Sequence, residues 1–173
     1  MESELEDEDV DLGRIRVAIA FADLAGYTRF TEEEGEEAAL SSVERFVEGV
    51  TNTLPEDARV VKTTGDEGMV LAQDVGALVD WAVGFTSLFD ERPEPRIGVH
   101  SGTTLYRDGD YFGRDVNLAS RVVARARGGE VLVSDAVVDD LRADASTVVA
   151  SLLATAPPGR RRRARLLPRS LYR

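Results

Sequence analysis

The chain has 173 residues, of which 43% are hydrophobic and 31% are charged, and its formal net charge is −11. This length fits one compact domain, and no apolar run approaches the ~20 residues of a membrane-spanning helix. The negative charge argues against a nucleic-acid partner, and the absence of cysteine excludes disulfides, thiolate metal sites and cysteine nucleophiles.

The first half of the chain alternates strands and helices. The apolar run 14–23 predicts a strand that ends at Asp23. A helix should follow, with Thr28 or Thr31 as its cap. The apolar stripe expected on this helix comprises Leu40, Val43, Phe46, Val47 and Val50. Residues 58–72 then predict two strands joined by a tight turn.

The second half continues the pattern. Asp74 is placed to cap a second helix, and residues 96–106 predict a fourth strand. Residues 115–126 predict a third helix, residues 130–134 a short strand, and Ser134 the cap of a brief last helix. The order β-α-β-β-α-β with an α-β extension indicates an α+β, ferredoxin-like fold, an antiparallel sheet with helices on one face. The bare face of such a sheet needs a cover, and a partner chain is a natural candidate.

Three segments of the chain differ in charge. Residues 1–13 are strongly acidic and almost without apolar side chains, so we expect a disordered tail there. Residues 14–156 form the predicted domain. Residues 157–173 are basic and predict either a solvated tail or a last edge strand with outward charges. Since no membrane-spanning run or secretory signal is found, we expect a cytoplasmic protein.

Two aspartates stand at similar places in the predicted sheet. Asp23 ends the first strand and Asp66 lies in the hairpin turn. In a ferredoxin-like sheet the first strand and the first half of this hairpin are neighbours, so the two carboxylates could converge. Paired carboxylates without histidine or cysteine suit Mg²⁺ or Mn²⁺, and two such ions serve phosphoryl transfer. The residues alone leave open that each aspartate is only a turn residue.

The segment after Asp23 favours an anion site. The chain passes through Gly26, Tyr27 and Thr28 into the first predicted helix. Glycine lets the backbone approach a ligand, and the free amides of a helix start attract phosphate. A triphosphate site is one interpretation, and a simple turn with a helix cap is the other.

Four segments occur in order and at compatible spacings. They are FADLAGYT (21–28), KTTGDE (62–67), RIGVHSG (96–102) and DYFGRDVNLASRV (110–122). Together they resemble the catalytic domain of class III adenylyl and guanylyl cyclases, in particular bacterial adenylyl cyclases with a short arm. The resemblance covers roughly residues 14–142. It implies conversion of ATP to 3′,5′-cyclic AMP and pyrophosphate by two-metal-ion catalysis in a homodimer.

The resemblance assigns the phosphate and metal ligands. It places Asp23 and Asp66 as the aspartates that bind two Mg²⁺ or Mn²⁺ ions per site. It also places Gly26, Tyr27 and Thr28 in the loop that binds the substrate phosphates. No general-base histidine is required, since a metal ion lowers the pKa of the attacking hydroxyl. His100, the only histidine, is therefore expected to pack or hydrogen-bond on a structural strand.

The resemblance also assigns the base-reading and transition-state residues. Lys62 matches the lysine that reads the purine edge, and Asp110 matches the acid that accepts from the adenine amino group. Asn117 matches the residue that orients the ribose, and Arg121 the residue that stabilises the transition state. Adenine offers an acceptor at N1 and a donor at N6, whereas guanine reverses both. Since buried polar groups reject the wrong polarity, ATP is favoured over GTP.

A homodimer follows from the same comparison. On a regular strand Lys62 and Asp66 are about 13 Å apart, which favours their serving different sites. In the family, the metal ligands come from one protomer and the other functional residues come from its partner. A two-fold dimer of this chain would thus build two complete sites. Two alternatives stay open, a catalytically silent cyclase-like module and a guanylyl cyclase. Many relatives carry a regulatory domain, and two interpretations stay open for this chain: a fragment that works with a regulatory domain or partner, and a stand-alone cyclase.

Overall fold

The structure, a computed structural model, describes residues 13–144 and 163–172. The strands are β1 (Arg14–Leu24), β2 (Arg59–Thr64), β3 (Glu67–Ala72), β4 (Pro95–Arg107), β5 (Asp110–Phe112), β6 (Glu130–Ser134) and β7 (Arg163–Leu167). The helices are α1 (Tyr27–Glu34), α2 (Glu36–Thr53), α3 (Val75–Thr86), α4 (Arg114–Val123) and α5 (Asp135–Ala143), and a 3₁₀ turn spans Arg169–Leu171. Apart from Gly13, the acidic tail predicted at 1–13 lies outside the described residues.

The described strands form one mixed sheet in the order β2-β3-β1-β4-β6-β7, with β5 paired to β4. Strand β1 neighbours β3, the second strand of the hairpin, so the prediction that it neighbours the first strand is wrong. Strands β1 to β5 pair antiparallel, whereas β6 is parallel to β4 and β7 is parallel to β6. The prediction of an antiparallel sheet is therefore wrong at this edge. Helices α4 and α5 each carry the chain back toward the end of the sheet at which β4 begins. The strand that follows such a crossover runs parallel to its neighbour. The ferredoxin-like assignment stays a prediction.

Strand β1 is buried on both faces. Ala18, Ala20 and Ala22 face the main core, to which α2, α3 and α5 contribute. Ile19 and Phe21 face the opposite side, where they cluster with residues of α4. The prediction of helices on one face is thus wrong for α4. The sign was present in β1, whose near-continuous apolar run is typical of a strand covered on both sides.

The main core holds the sheet to α2 and α3. Phe46, Leu78 and Phe85 are almost fully buried, and the rings of Phe46 and Phe85 meet edge to face at 5.7 Å. The indole nitrogen of Trp81 donates to the Thr53 hydroxyl at 2.9 Å, which satisfies the polar atom of a buried ring. Burying side chains of this size contributes about 1.5–3 kcal/mol each to folding.

Glycines decide where the first helices begin and end. Gly26 has a φ of 70°, and α1 starts directly after it, so the predicted caps Thr28 and Thr31 are wrong. Thr31 lies inside α1, where its hydroxyl donates to the carbonyl of Tyr27. Gly35, with a φ of 91°, divides the expected single helix into α1 and α2. Leu40, predicted in the apolar stripe, is exposed on α2.

Helix α4 packs unusually close to β4. A Cβ atom at Gly98 would overlap the backbone of Val123, and one at Gly102 would overlap the side chain of Asp115. The two glycines therefore admit the two ends of α4. Between residues 13 and 144 and in 163–172, no helix is long and apolar enough to span a membrane.

Candidate active site

Asp23 and Asp66 lie close together at one end of the strands of the sheet. Asp23 is near the end of β1, opposite Glu67 in the pairing with β3, and Asp66 occupies the turn between β2 and β3. The amide of Leu24 donates to the backbone carbonyl of Asp66 at 3.2 Å, which joins the strand end to the turn. The local sequence explains the turn, because Gly65 takes a φ of 57° that other residues rarely adopt.

At this end of the strands, the negative charge of one acid disfavours ionisation of its neighbours. Burial raises the pKa of Asp66, and the negative charge of Asp23 raises it further. Burial likewise raises the pKa of Glu67, with contributions from Asp23 and Asp66. Carboxylates that repel one another at a partly buried position are favourable to a bound cation.

Arg96 supplies a positive charge at the same end of the strands. Its Nε donates to Asp23 Oδ1 at 2.5 Å, and its Nη2 donates to Oδ2 at 3.0 Å. Asp23 in turn raises the pKa of Arg96. A third bond, from Nη1 to the carbonyl of Ala126, fixes the guanidinium. Both carboxylate oxygens of Asp23 are thus held in one orientation by a bidentate contact.

The donor set fits a hard divalent cation. Asp23 and Asp66 offer oxygen ligands only, and Mg²⁺ is bound in proteins by one or two carboxylates with substrate phosphates and water. Within the described part of the chain, no three acidic or histidine side chains form a closed metal cluster.

Removing the charge of Asp66 is expected to stabilise the metal-free protein. Because the pKa of Asp66 is raised by folding, the native state binds the proton more tightly, and ionisation costs stability as the pH rises. Asp66→Asn should raise the thermal midpoint at pH 7 in chelator, and the gain should vanish below the ordinary carboxyl pKa. Calorimetry at both pH values measures this, and a lower midpoint at pH 7 would contradict it.

The start of α1 lies beside these acids. The amide of Ala25 donates to the carbonyl of Glu94 at 2.9 Å, and Gly26 then turns the chain into the helix. No side chain caps this helix start, so its first amides lack intrahelical partners. The ring of Tyr27 packs against the main core, while Thr28 is exposed. An anion approaching this turn would therefore meet backbone amides and the Thr28 side chain.

Lys62 and Asp110 come together over a small pocket. Lys62 Nζ lies 3.8 Å from Asp110 Oδ2, and the amide of Tyr111 donates to the other oxygen of Asp110. The pocket encloses about 160 Å³. Besides the pair, its lining comprises Phe21, Thr64, Glu67, Met69, Tyr111 and Val116. The lining thus combines apolar side chains with one cationic group, Lys62, and two acidic groups, Asp110 and Glu67. Such a lining suits a flat heteroaromatic ring that has both an acceptor and a donor.

Asn117 and Arg121 lie elsewhere on the chain. They are one turn apart on the exposed face of α4, where they line an open groove with Gly113, Arg114 and Leu118. No hydrogen bond or ion pair of the described residues joins either side chain to Asp23 or Asp66. Within one chain, Asp23 lies near Asp66 and Lys62 lies near Asp110. The α4 residues Asn117 and Arg121 face outward.

Residues 13–153 match the family described as the adenylate and guanylate cyclase catalytic domain. The chain belongs to this family. It is 38% identical over 138 residues to an adenylate cyclase of Streptomyces coelicolor, covering 78% of this chain and 36% of the relative. It is 36% identical over 132 residues to a pH-sensitive adenylate cyclase of Mycobacterium tuberculosis, covering 75% of this chain and 33% of the relative. The cyclase chain therefore spans about a third of the length of these curated relatives.

Solved cyclase structures share the fold. The adenylyl cyclase CyaB of P. aeruginosa superposes with a TM-score of 0.62 at 24% identity, over 75% of this chain and 82% of that one. An adenylate/guanylate cyclase/hydrolase of Silicibacter pomeroyi also gives 0.62, at 27% identity, over 78% and 83%. The mixed sheet with helices described above is thus the fold of cyclase catalytic domains.

Two charged residues of the cyclase site had no role assigned from the sequence. Arg96 belongs to the RIGVHSG segment, but only the pairing of β4 with β1 shows that it lies opposite Asp23. Glu67 directly follows Asp66 and lines the pocket of Lys62 and Asp110. Its adjacency to Asp66 was the available signal, and the strand register was needed to use it.

Proposed function

We propose that the cyclase domain converts ATP to 3′,5′-cyclic AMP and pyrophosphate at the interface of a homodimer. The pairing of Lys62 with Asp110 over a pocket with partly apolar walls carries this proposal, because the two groups complement the adenine edge. The curated relatives named adenylate cyclases support the same substrate.

The acids and the helix start would bind the triphosphate end. Asp23 and Asp66 would hold two Mg²⁺ or Mn²⁺ ions, which lower the pKa of a hydroxyl and neutralise phosphate charge. The bidentate contact of Arg96 would keep the Asp23 carboxylate oriented for this role. The free backbone amides that follow Gly26, beginning with that of Tyr27, would donate hydrogen bonds to phosphate oxygens, and the Thr28 side chain would add a further contact.

The base would be read by hydrogen-bond polarity. Lys62 donates to adenine N1, and Asp110 accepts from the amino group at C6. Guanine presents a donor and a carbonyl at these positions, which leaves both protein groups unpaired. The guanylyl cyclase alternative is disfavoured for this reason.

The α4 residues would act on the partner's substrate. Asn117 and Arg121 face outward, which supports their use by a second chain related by two-fold symmetry. Asn117 would orient the ribose so that its 3′-oxygen forms a bond to the α-phosphorus as the bond to pyrophosphate breaks. Arg121 would donate to the oxygens on which negative charge grows in the transition state.

An assay of the purified protein with Mn²⁺ and either ATP or GTP tests the activity. We expect equal amounts of cyclic AMP and pyrophosphate from ATP. Nucleotide binding without any cyclic product would support the silent module instead. Preferential formation of cyclic GMP would support the guanylyl cyclase.

Replacing both base-reading residues is expected to remove the preference for ATP. Lys62→Ala combined with Asp110→Ala should lower the ratio of kcat/KM for ATP to that for GTP by about 10²-fold, since two polar contacts are lost. Steady-state kinetics with both nucleotides measure the ratio. Arg107→Ala is the matched control and should leave the ratio unchanged, because Arg107 is highly exposed and lies on the same β4–β5 hairpin as Asp110. An unchanged ratio in the double variant would remove the assigned role.

A further inference from the structure

A chain of polar side chains runs beneath α4. His100 on β4 is 4% exposed, its Nδ1 lies 2.8 Å from Ser134 Oγ, and its Nε2 lies 3.0 Å from Asp115 Oδ1. At the far end, the ring of Tyr172 meets the ring of His100 edge-on, with 6.2 Å between the ring centroids. The chain therefore connects the first turn of α4 with β4, the end of β6 and the C-terminal segment.

The chemistry of these groups fixes the direction of each bond. The carboxylate of Asp115 can only accept, so Nε2 of His100 carries the proton. In the neutral ring, Nδ1 then accepts from the Ser134 hydroxyl. The second oxygen of Asp115 accepts from the amide of Thr103 at 2.8 Å. The chain is thus fully satisfied, and each link depends on the next.

These bonds act at the end of α4 that bears Asn117. Asp115 precedes Asn117 by two residues, and its side chain fits against β4 only because residue 102 is glycine. On the inner side of the helix, Leu118 and Val122 pack with Leu167 and Tyr172. Helix α4 is therefore held from below by the polar chain and by the C-terminal segment, while its outer face stays free for a ligand.

We propose that His100, bridging Ser134 and Asp115, is a positioning residue that sets where Asn117 and Arg121 meet the ATP held by the partner chain. The inference rests on the proposed function. A displacement of about 1 Å in a catalytic group costs up to about 10²-fold in rate, so a loosened α4 lowers kcat. The metal ligands and the base-reading pair are untouched, so KM for ATP stays close to its normal value.

Heterodimers of differently tagged chains test this position. Asp66→Asn inactivates the metal half of a chain, and Arg121→Ala inactivates its α4 half, so each heterodimer with a second chain retains a single defined site. When His100→Gln is paired with Asp66→Asn, the surviving site uses the intact α4. When His100→Gln is paired with Arg121→Ala, the surviving site uses the loosened α4.

The expected result is asymmetric. Paired with Asp66→Asn, the His100→Gln chain should match a wild-type chain in the same pairing. Paired with Arg121→Ala, its kcat should fall about 10- to 100-fold below that of a wild-type chain. Equal losses in both pairings, or no loss in either, would overturn the inference.

Two controls keep the outcomes distinct. The pairing of Asp66→Asn with Arg121→Ala should recover one working site, and failure to do so would refute the composite site of the proposed function. If His100→Gln does not give a folded dimer, Ser134→Ala replaces it, because this change keeps the imidazole and removes only the buried hydroxyl that contacts Nδ1. The same asymmetry is then expected with a smaller loss, and its absence would overturn the inference.

Discussion

Replacing Arg121 with alanine is expected to lower kcat by about 10²- to 10³-fold and to change KM for ATP by less than about threefold. In the proposed role, the guanidinium on the exposed face of α4 would stabilise charge that appears only in the transition state. Steady-state kinetics with ATP and Mn²⁺ measure both constants. A large rise in KM with an unchanged kcat would place Arg121 in ground-state binding instead.

Arg125→Ala is the matched control for this variant. Arg125 is also exposed and follows Arg121 by one helical turn, just beyond the end of α4. Its loss removes the same net charge from the same surface, so the comparison separates a specific contact from the general field of the protein. We expect kcat to stay within about twofold of the unmodified protein, since surface charges act weakly at this range.

Neutralising Asp66 is expected to abolish turnover, with a fall in kcat of about 10³-fold or more. Loss of an ion that contributes several kcal/mol of transition-state stabilisation corresponds to a rate loss of this size. The same variant, Asp66→Asn, should be more stable than the unmodified protein without metal, so unfolding would not explain the loss. Product formation and thermal midpoints, measured with and without Mn²⁺, test both parts.

The metal dependence of stability supplies the control. Mn²⁺ should raise the thermal midpoint of the unmodified protein, because an ion that binds only the native state stabilises it. Asp66→Asn should lose most of this rise. Asp108→Asn, at a highly exposed turn position, should keep both the rise and the activity. Full activity of Asp66→Asn would refute the metal assignment.

The sequence predicted the local elements better than their arrangement. The hairpin with its turn at Asp66 and the cap at Asp74 follow from short-range chemistry, and both are present. The parallel strands and the position of α4 depend on how the chain crosses the sheet. That choice is made by packing between distant segments, for which the apolar pattern of β1 was the only local sign.

The candidate site was predicted unevenly for the same reason. The neighbourhood of Asp23 and Asp66 could be inferred from a strand end and a turn, and Lys62 with Asp110 from the family resemblance. The contact of Arg96 with Asp23 requires the register of β1 against β4, which no residue pattern encodes. The break at Gly35 and the helix start after Gly26 show that backbone freedom of glycine overrode the expected threonine caps.

The double burial of β1 gives the two halves of the site different mechanical character. Asp23 is mounted near the end of a strand with neighbours on both edges and cover on both faces, so its carboxylate has little freedom to reorganise. Helix α4 also packs on the sheet through buried apolar side chains, but the position of its first turn depends on Gly102 and on the polar bonds of Asp115. We therefore expect the strand that bears Asp23 to reorganise less than helix α4. Small changes in rate should arise from small changes in the position of α4.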